Sequence, residues 1–226
     1  MTECIETDKK LKSKHKNIII AFLFNAIVLA SYIFVLGVSY ESNDDYSLSI
    51  IIDNSGYCNF TFINFFLCKF VCLIQTLMPF ANWFVLMQII FSYIAFCILT
   101  HLILKTSDHR LIHILFFICV TVFSFDHYSR IQFTKTSALL ITTGSLFIIY
   151  LWINNNKKFI PYLMGAILMI LGAMYRYQNL ILIIGFAGLF IMGYVIINIK
   201  NHEKRNWKKR IILLTLIFLL IFLGAY

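Results

Sequence analysis

The sequence predicts an all-α integral membrane protein with about seven transmembrane helices and an amphipathic helix lying in the membrane interface. Three observations predict it. Hydrophobic residues make up 61% of the 226, charged residues only 13%, and the mean hydropathy is +0.85; soluble domains run about 45–50% apolar and about 25% charged. Such a chain cannot cover itself with polar surface, so its solvent is lipid. The apolar residues also come in continuous runs rather than in alternation, which excludes an outer-membrane barrel. Finally, Lys and Arg cluster between the runs, and in membrane proteins that clustering marks the cytoplasmic side.

Residues 1–16 read as a basic cytoplasmic N-terminus, with Lys9, Lys10, Lys12, Lys14 and Lys16 ahead of the first apolar run. Residues 17–226 form one polytopic membrane domain, with spans at about 17–38, 81–104, 111–133, 135–153, 159–175, 180–197 and 211–226. A bilayer core takes about 20 apolar residues per helix, with a range of about 17–25. The first run is too long for a signal-peptide core and lacks an A-x-A site, so it reads as an uncleaved signal anchor. Tyr226 falls sixteen residues into the last run with no flanking charge, the pattern of a fragment or of a truncated gene product.

An eighth apolar run, residues 60–77, is the one whose crossing is in question. If it crosses, the Lys and Arg of the loops divide eight against ten, which is no bias. If it does not, the N-terminus, Lys105–Arg110, Lys157–Lys158 and Lys200–Arg210 share a side with fifteen basic residues. Lys69, Arg130, Lys135 and Arg176 are the four that remain. The second division is the one the positive-inside rule selects. The segment's own pattern agrees. Thr61, Asn64, Cys68, Cys72 and Gln75 recur every three or four residues and share one helical face, while Phe62, Phe66, Phe70, Leu73 and Leu77 share the other. An aromatic-faced helix with a lysine suits the interface plane. Pro79 is expected to end it, and Trp83 to anchor the next crossing at the membrane surface.

This arrangement puts the first large loop, about residues 39–80, outside the cytoplasm, and with it the remaining clusters of ionisable groups. The net charge of +9 then reflects cytoplasmic loops rather than nucleic-acid binding. The six cysteines are scattered, with no C-x-x-C pair, and are expected to pack rather than to bind zinc. No P-loop, G-x-S-x-G, H-E-x-x-H or dinucleotide fingerprint occurs.

Intramembrane and juxtamembrane ionisable groups mark function. Asp44 and Asp45 follow the first span directly. One carboxylate can act as general base on a hydroxyl while its neighbour orients the acceptor or holds a divalent cation. The same Ser-Asn-Asp-Asp run is also ordinary turn chemistry, able to cap a helix over 46–52. Arg130 and Lys135, in the second outer loop, suit a phosphate head group; a local Asp126–Arg130 pair or snorkelling explains them equally well. Arg176 interrupts a long apolar stretch beside Tyr175, Tyr177, Gln178 and Asn179, and an arginine there takes an acidic partner, a bound anion or a tight turn. His127 is expected at the outer surface.

The order of features is a basic N-terminus, a first span, a loop opening Ser42-Asn43-Asp44-Asp45-Tyr46, an interfacial helix, and Pro79-Phe80-Ala81-Asn82-Trp83 at the second span. It resembles the GT-C superfamily of membrane glycosyltransferases, which use polyprenyl- or dolichyl-phosphate sugars. It looks most like bacterial multispanning members with an N-D-D motif in that loop. The resemblance is specific only over residues 42–83, and such enzymes are usually longer, so the chain would be an N-terminal core or fragment. It implies a seven-span core and a sugar transferred from a polyprenyl-phosphate donor to an extracytoplasmic acceptor. Asp44 and Asp45 would then be catalytic base or metal ligand. By topology it suggests that Arg130, Lys135, Arg176 and Gln178 bind the lipid-linked substrate, in a cavity that Asp44 and Asp45 also reach. The expected partners are membrane lipid, the lipid-linked donor and further membrane subunits. The alternative readings are a transporter or flippase-like protein and a non-catalytic membrane subunit.

Overall fold

The computed structural model describes residues 2–41, 43–55, 60 and 63–200. Among them are eight α-helices and one two-residue parallel bridge: α1 Thr2–Leu36, β1 Ser39–Tyr40, α2 Asn43–Ser55, α3 Phe65–Leu77, α4 Trp83–Thr106, α5 Arg110–Tyr128, β2 Arg130–Ile131, α6 Phe133–Ile153, α7 Phe159–Tyr175 and α8 Tyr177–Lys200. Five segments are long and apolar enough to cross a bilayer: Lys16–Leu36, Trp83–Thr106, Arg110–Tyr128, Phe133–Ile153 and Tyr177–Ile196. The protein is thus all-helical, with the makings of a multi-pass membrane protein. Helix α7, at 17 residues, and α3, at 13, are apolar but shorter. The expected last span, 211–226, lies outside the described residues.

The chain divides into two units, residues 1–46 with 85–132 and residues 47–84 with 133–226. In the first, α1 runs unbroken back through the basic N-terminus, because no Gly or Pro interrupts it before Gly37. Gly37 ends it in the left-handed region at φ 72°. Helices α1 and α4 are antiparallel. Near the start of α1, Asn17 Nδ2 donates to the Leu104 carbonyl at 3.2 Å, and further along Tyr93 Oη donates to the Phe22 carbonyl at 3.1 Å. Asn25 Nδ2 donates to Thr100 Oγ1 at 3.0 Å, so the donor side of this wholly buried amide has a partner on the neighbouring helix.

Helices α1 and α5 instead run parallel, with Phe24 on Phe117 and Tyr32 on Phe125. Their C-terminal ends are joined by the bridge, which pairs Ser39 with Arg130 and Tyr40 with Ile131. The Ser39 N–H donates to the Ser129 carbonyl at 2.9 Å, and Ser39 Oγ donates to the same oxygen at 2.7 Å. This explains why α5 stops at Tyr128 and not at the expected residue 133: the chain turns at Ser129 to pair sideways.

In the second unit, α6 and α7 are antiparallel and unusually close. Ser137 and Gly144 on α6 meet Gly172 and Gly165 on α7. A Cβ on Gly144 would lie 2.6 Å from the Gly165 carbonyl oxygen, and one on Gly172 would lie 2.8 Å from the Ser137 carbonyl oxygen. Small residues let the two backbones approach where lipid supplies no hydrophobic drive. Leu180, Ala187, Ile191 and Val195 of α8 complete this core with Ile141, Ile148, Met169 and Trp152.

Helix α3 begins at Phe65, not Phe60, because Asn64 caps it: Asn64 Oδ1 accepts from the Phe66 N–H at 2.9 Å. The Asn64 N–H also donates to the Met174 carbonyl at 2.8 Å, tying the start of α3 to the end of α7. Its buried face is Leu67, Cys68, Val71, Cys72 and Gln75. This is the expected polar stripe with two aliphatic residues added; Thr61 and Phe62 lie outside the described residues. The opposite face is exposed, Phe66 by 72% and Leu77 by 70%, with Phe70 and Leu73 between. Gln75 Oε1 accepts from the Trp83 N–H at 3.0 Å, and Trp83 Nε1 donates to the Met78 carbonyl at 2.6 Å; the short Pro79 loop is closed by these bonds.

One expectation about the cysteines is corrected. Cys68 and Cys97 are free and buried, but Cys72 is disulfide-bonded. Spacing along the chain does not reveal a pairing made by the fold.

Candidate functional site

The acidic pair does not sit in a turn ahead of a helix over 46–52. Helix α2 starts at Asn43, so Asp44 and Asp45 occupy its first turn, where carboxylates meet the positive end of the helix dipole. Successive residues on a helix do not face each other, and the pair is accordingly split. Asp44 is exposed, whereas Asp45 is completely buried. Two carboxylates so divided do not make a shared chelate for a divalent cation. Among the described residues no group of three His, Cys, Asp or Glu is arranged to hold a metal.

Arg130 is exposed on β2, in register with Ser39 of the strand that leads into α2; the backbone bonds on either side of it are made by the Ser129 and Ile131 carbonyls. Tyr40 on that strand packs edge-on against Tyr46 of α2, ring centroids 5.5 Å apart. The first unit therefore brings Asp44, Asp45 and Arg130 to the end where α1 and α5 terminate. His127 is not the surface residue expected: it is half-buried, edge-on to Phe96 at 5.4 Å, with Nδ1 enclosed. It lies three residues after buried Ser124 and next to buried Tyr128, on the face of α5 that includes Val120, and that helical spacing was the available signal.

The second unit gathers Lys135, Arg176 and Gln178 at the end where α6 starts and α7 stops. Arg176 is the one residue between α7 and α8, in extended conformation at φ −157°. The expected loop over 176–179 is thus a single-residue break. Its guanidinium Nη1 donates to Thr134 Oγ1 at 2.7 Å, and its backbone carbonyl accepts from Ser137 Oγ at 3.2 Å. Asn179 Nδ2 donates to the Thr134 carbonyl at 2.9 Å. Gln178 is exposed in the first turn of α8. Lys135 is half-buried, its Nζ enclosed, which makes it a poorer surface contact for a head group than its place in the sequence suggested. Sequence reasoning missed Thr134, Ser137 and Asn179, since a hydroxyl or amide near a span end is unremarkable until its partner is known.

No family model, curated protein or solved structure matches the chain.

Proposed function

We propose that the chain is the membrane core of a glycosyltransferase acting at the outer face of the cytoplasmic membrane, with seven crossings and a cytoplasmic N-terminus. Helix α3 lies in the outer interface, its exposed Phe66, Phe70, Leu73 and Leu77 facing acyl chains. The division of basic residues supports this orientation. So does the disulfide at Cys72, because disulfides persist in oxidising compartments.

One observation carries the chemical reading: an exposed carboxylate, Asp44, stands on a helix immediately after the first span, beside a buried one. Asp44 takes the proton of an acceptor hydroxyl. The acceptor oxygen bonds to the anomeric carbon of the donor sugar. The bond from that carbon to the phosphate oxygen breaks, and its electron pair leaves with the polyprenyl phosphate. In the second unit, Arg176 offers N–H donors suited to the negative charge of a lipid-linked phosphate. Asp45 holds the first turn of α2 in place rather than reacting.

The test uses purified protein in lipid nanodiscs with a radiolabelled polyprenyl-phosphate sugar. Transfer lost in Asp44→Asn, with expression and melting unchanged, supports the reading. Transfer at the wild-type rate returns the acidic pair to a helix-capping role.

A further inference from the structure

We propose that Thr134 is a positioning residue for Arg176, setting the guanidinium to receive a lipid-linked phosphate; this rests on the reading of Arg176 as the phosphate contact. Arginine has a long flexible side chain, and a half-buried one at a helix break needs something to set its direction. Here three groups of bonds do so. Ser137 Oγ shares its one proton between the Gly172 carbonyl, at 2.7 Å, and the Arg176 carbonyl, at 3.2 Å, which ties the backbone at the end of α7 to α6. Asn179 Nδ2 clamps the Thr134 carbonyl, which fixes the residue that Arg176 reaches. Thr134 Oγ1 then accepts from Arg176 Nη1 at 2.7 Å, which fixes the side chain.

A guanidinium has five N–H donors in a planar fork. Thr134 takes one of them. The side chain makes no other polar contact among the described residues, so most of the fork is left to grip an anion through two oxygens at once. A hydroxyl suits the positioning role better than a carboxylate, because it orients the cation without neutralising it. An Asp or Glu at residue 134 would compete with the phosphate for the same charge. The site therefore takes a tetrahedral anion, and either a prenyl phosphate or free phosphate has that chemistry.

The experiment measures binding by calorimetry to the full chain in nanodiscs, with farnesyl phosphate, farnesol and inorganic phosphate as separate probes. Wild-type protein should bind farnesyl phosphate more tightly than either of the others. Thr134→Val keeps the shape and the backbone carbonyl that Asn179 clamps, and should weaken farnesyl phosphate about tenfold, the fold-change of one hydrogen bond to a charged group. It should leave farnesol binding and melting as in wild type. Thr134→Ser restores the acceptor and should restore affinity. Wild-type affinity in Thr134→Val, or an equal loss in Thr134→Ser, overturns the positioning role alone. A wild-type protein that does not distinguish farnesyl phosphate from farnesol overturns the phosphate reading of Arg176 and this role with it. Inorganic phosphate binding as tightly as farnesyl phosphate, with the same loss in Thr134→Val, supports the positioning role and identifies the anion alone as what the site reads.

Discussion

Ser137 Oγ donates to the backbone carbonyl of Gly172 at 2.7 Å, from one helix to the next, between residues 35 apart in the sequence. The bond is possible because Gly172 has no side chain; a Cβ there would sit 2.6 Å from Ile141 Cγ1 and 3.0 Å from Leu140 Cβ. The same contact fixes the residue that follows α7, Arg176. Helix packing and the placement of that cation are therefore one arrangement.

Gly172→Ala is expected to destabilise the protein by about 1–3 kcal/mol, the cost of overpacking a tight contact, and to weaken any phosphate binding at Arg176. Gly185 on α8 is in open space: a Cβ added there would meet nothing within 4 Å. Gly185→Ala should instead be neutral or slightly stabilising, by up to about 1 kcal/mol from helix propensity. Melting curves in one detergent compare the two; equal losses would sink the close-approach account.

Membrane orientation is testable by labelling. Ser39 bonds to Ser129, so α1 and α5 end together, and single cysteines replacing Asp44 and Arg130 should label from the same side. Arg176→Cys should share that side. The background lacks Cys4, Cys68, Cys97 and Cys119 but keeps Cys72, which is disulfide-bonded. Labelling of positions 44 and 130 from opposite faces would reject the seven-crossing arrangement.

The two aspartates should separate by readout. Asp45 is fully buried and Asp44 exposed. Asp45→Ala is expected to lower stability by about 1–3 kcal/mol, through the polar partner it leaves behind, whereas Asp44→Asn should alter melting by no more than about 0.5 kcal/mol. A melting experiment finding the reverse order would reject the division of roles.

Thiol chemistry supplies a pH-dependent test. Burial pushes the Cys68 thiol above its ordinary range, with a smaller opposing pull from the Phe60 backbone and from Lys69. The thiolate is the reactive form, so at pH 8 Cys68 should alkylate more slowly than a free thiol in unfolded protein, and its rate should keep rising above the pH at which the unfolded rate levels off. Mass spectrometry of iodoacetamide-treated protein follows this. Cys72 should react only after reduction. Fast Cys68 labelling at neutral pH would contradict its burial.

Much of the fold was legible because lipid imposes a simple requirement: a backbone crossing it must satisfy its own hydrogen bonds, and continuous apolar runs do so as helices. Runs starting near residues 17, 81, 111, 135, 159 and 180 each became a helix with boundaries shifted by a few residues, apart from α1, which runs back through the N-terminus. The amphipathic face of α3 was equally legible, since a three-to-four-residue repeat is a local property. Asn64 and Ser129 moved the boundaries because caps and strand pairs depend on bonds that periodicity does not encode.

By itself the sequence determined the class of protein, the helical segments, which ends of the helices carry Lys and Arg, and the residue types available for chemistry. Only the tertiary structure decided which of two adjacent aspartates is buried, that Cys72 is in a disulfide, that α6 and α7 meet glycine to serine, and that Arg176 rests on Thr134. Hydropathy and charge are summed along the chain, so they survive without coordinates. Burial, pairing and hydrogen-bond geometry depend on groups tens of residues apart arriving within about 3 Å of each other, and that proximity exists only once the helices have packed.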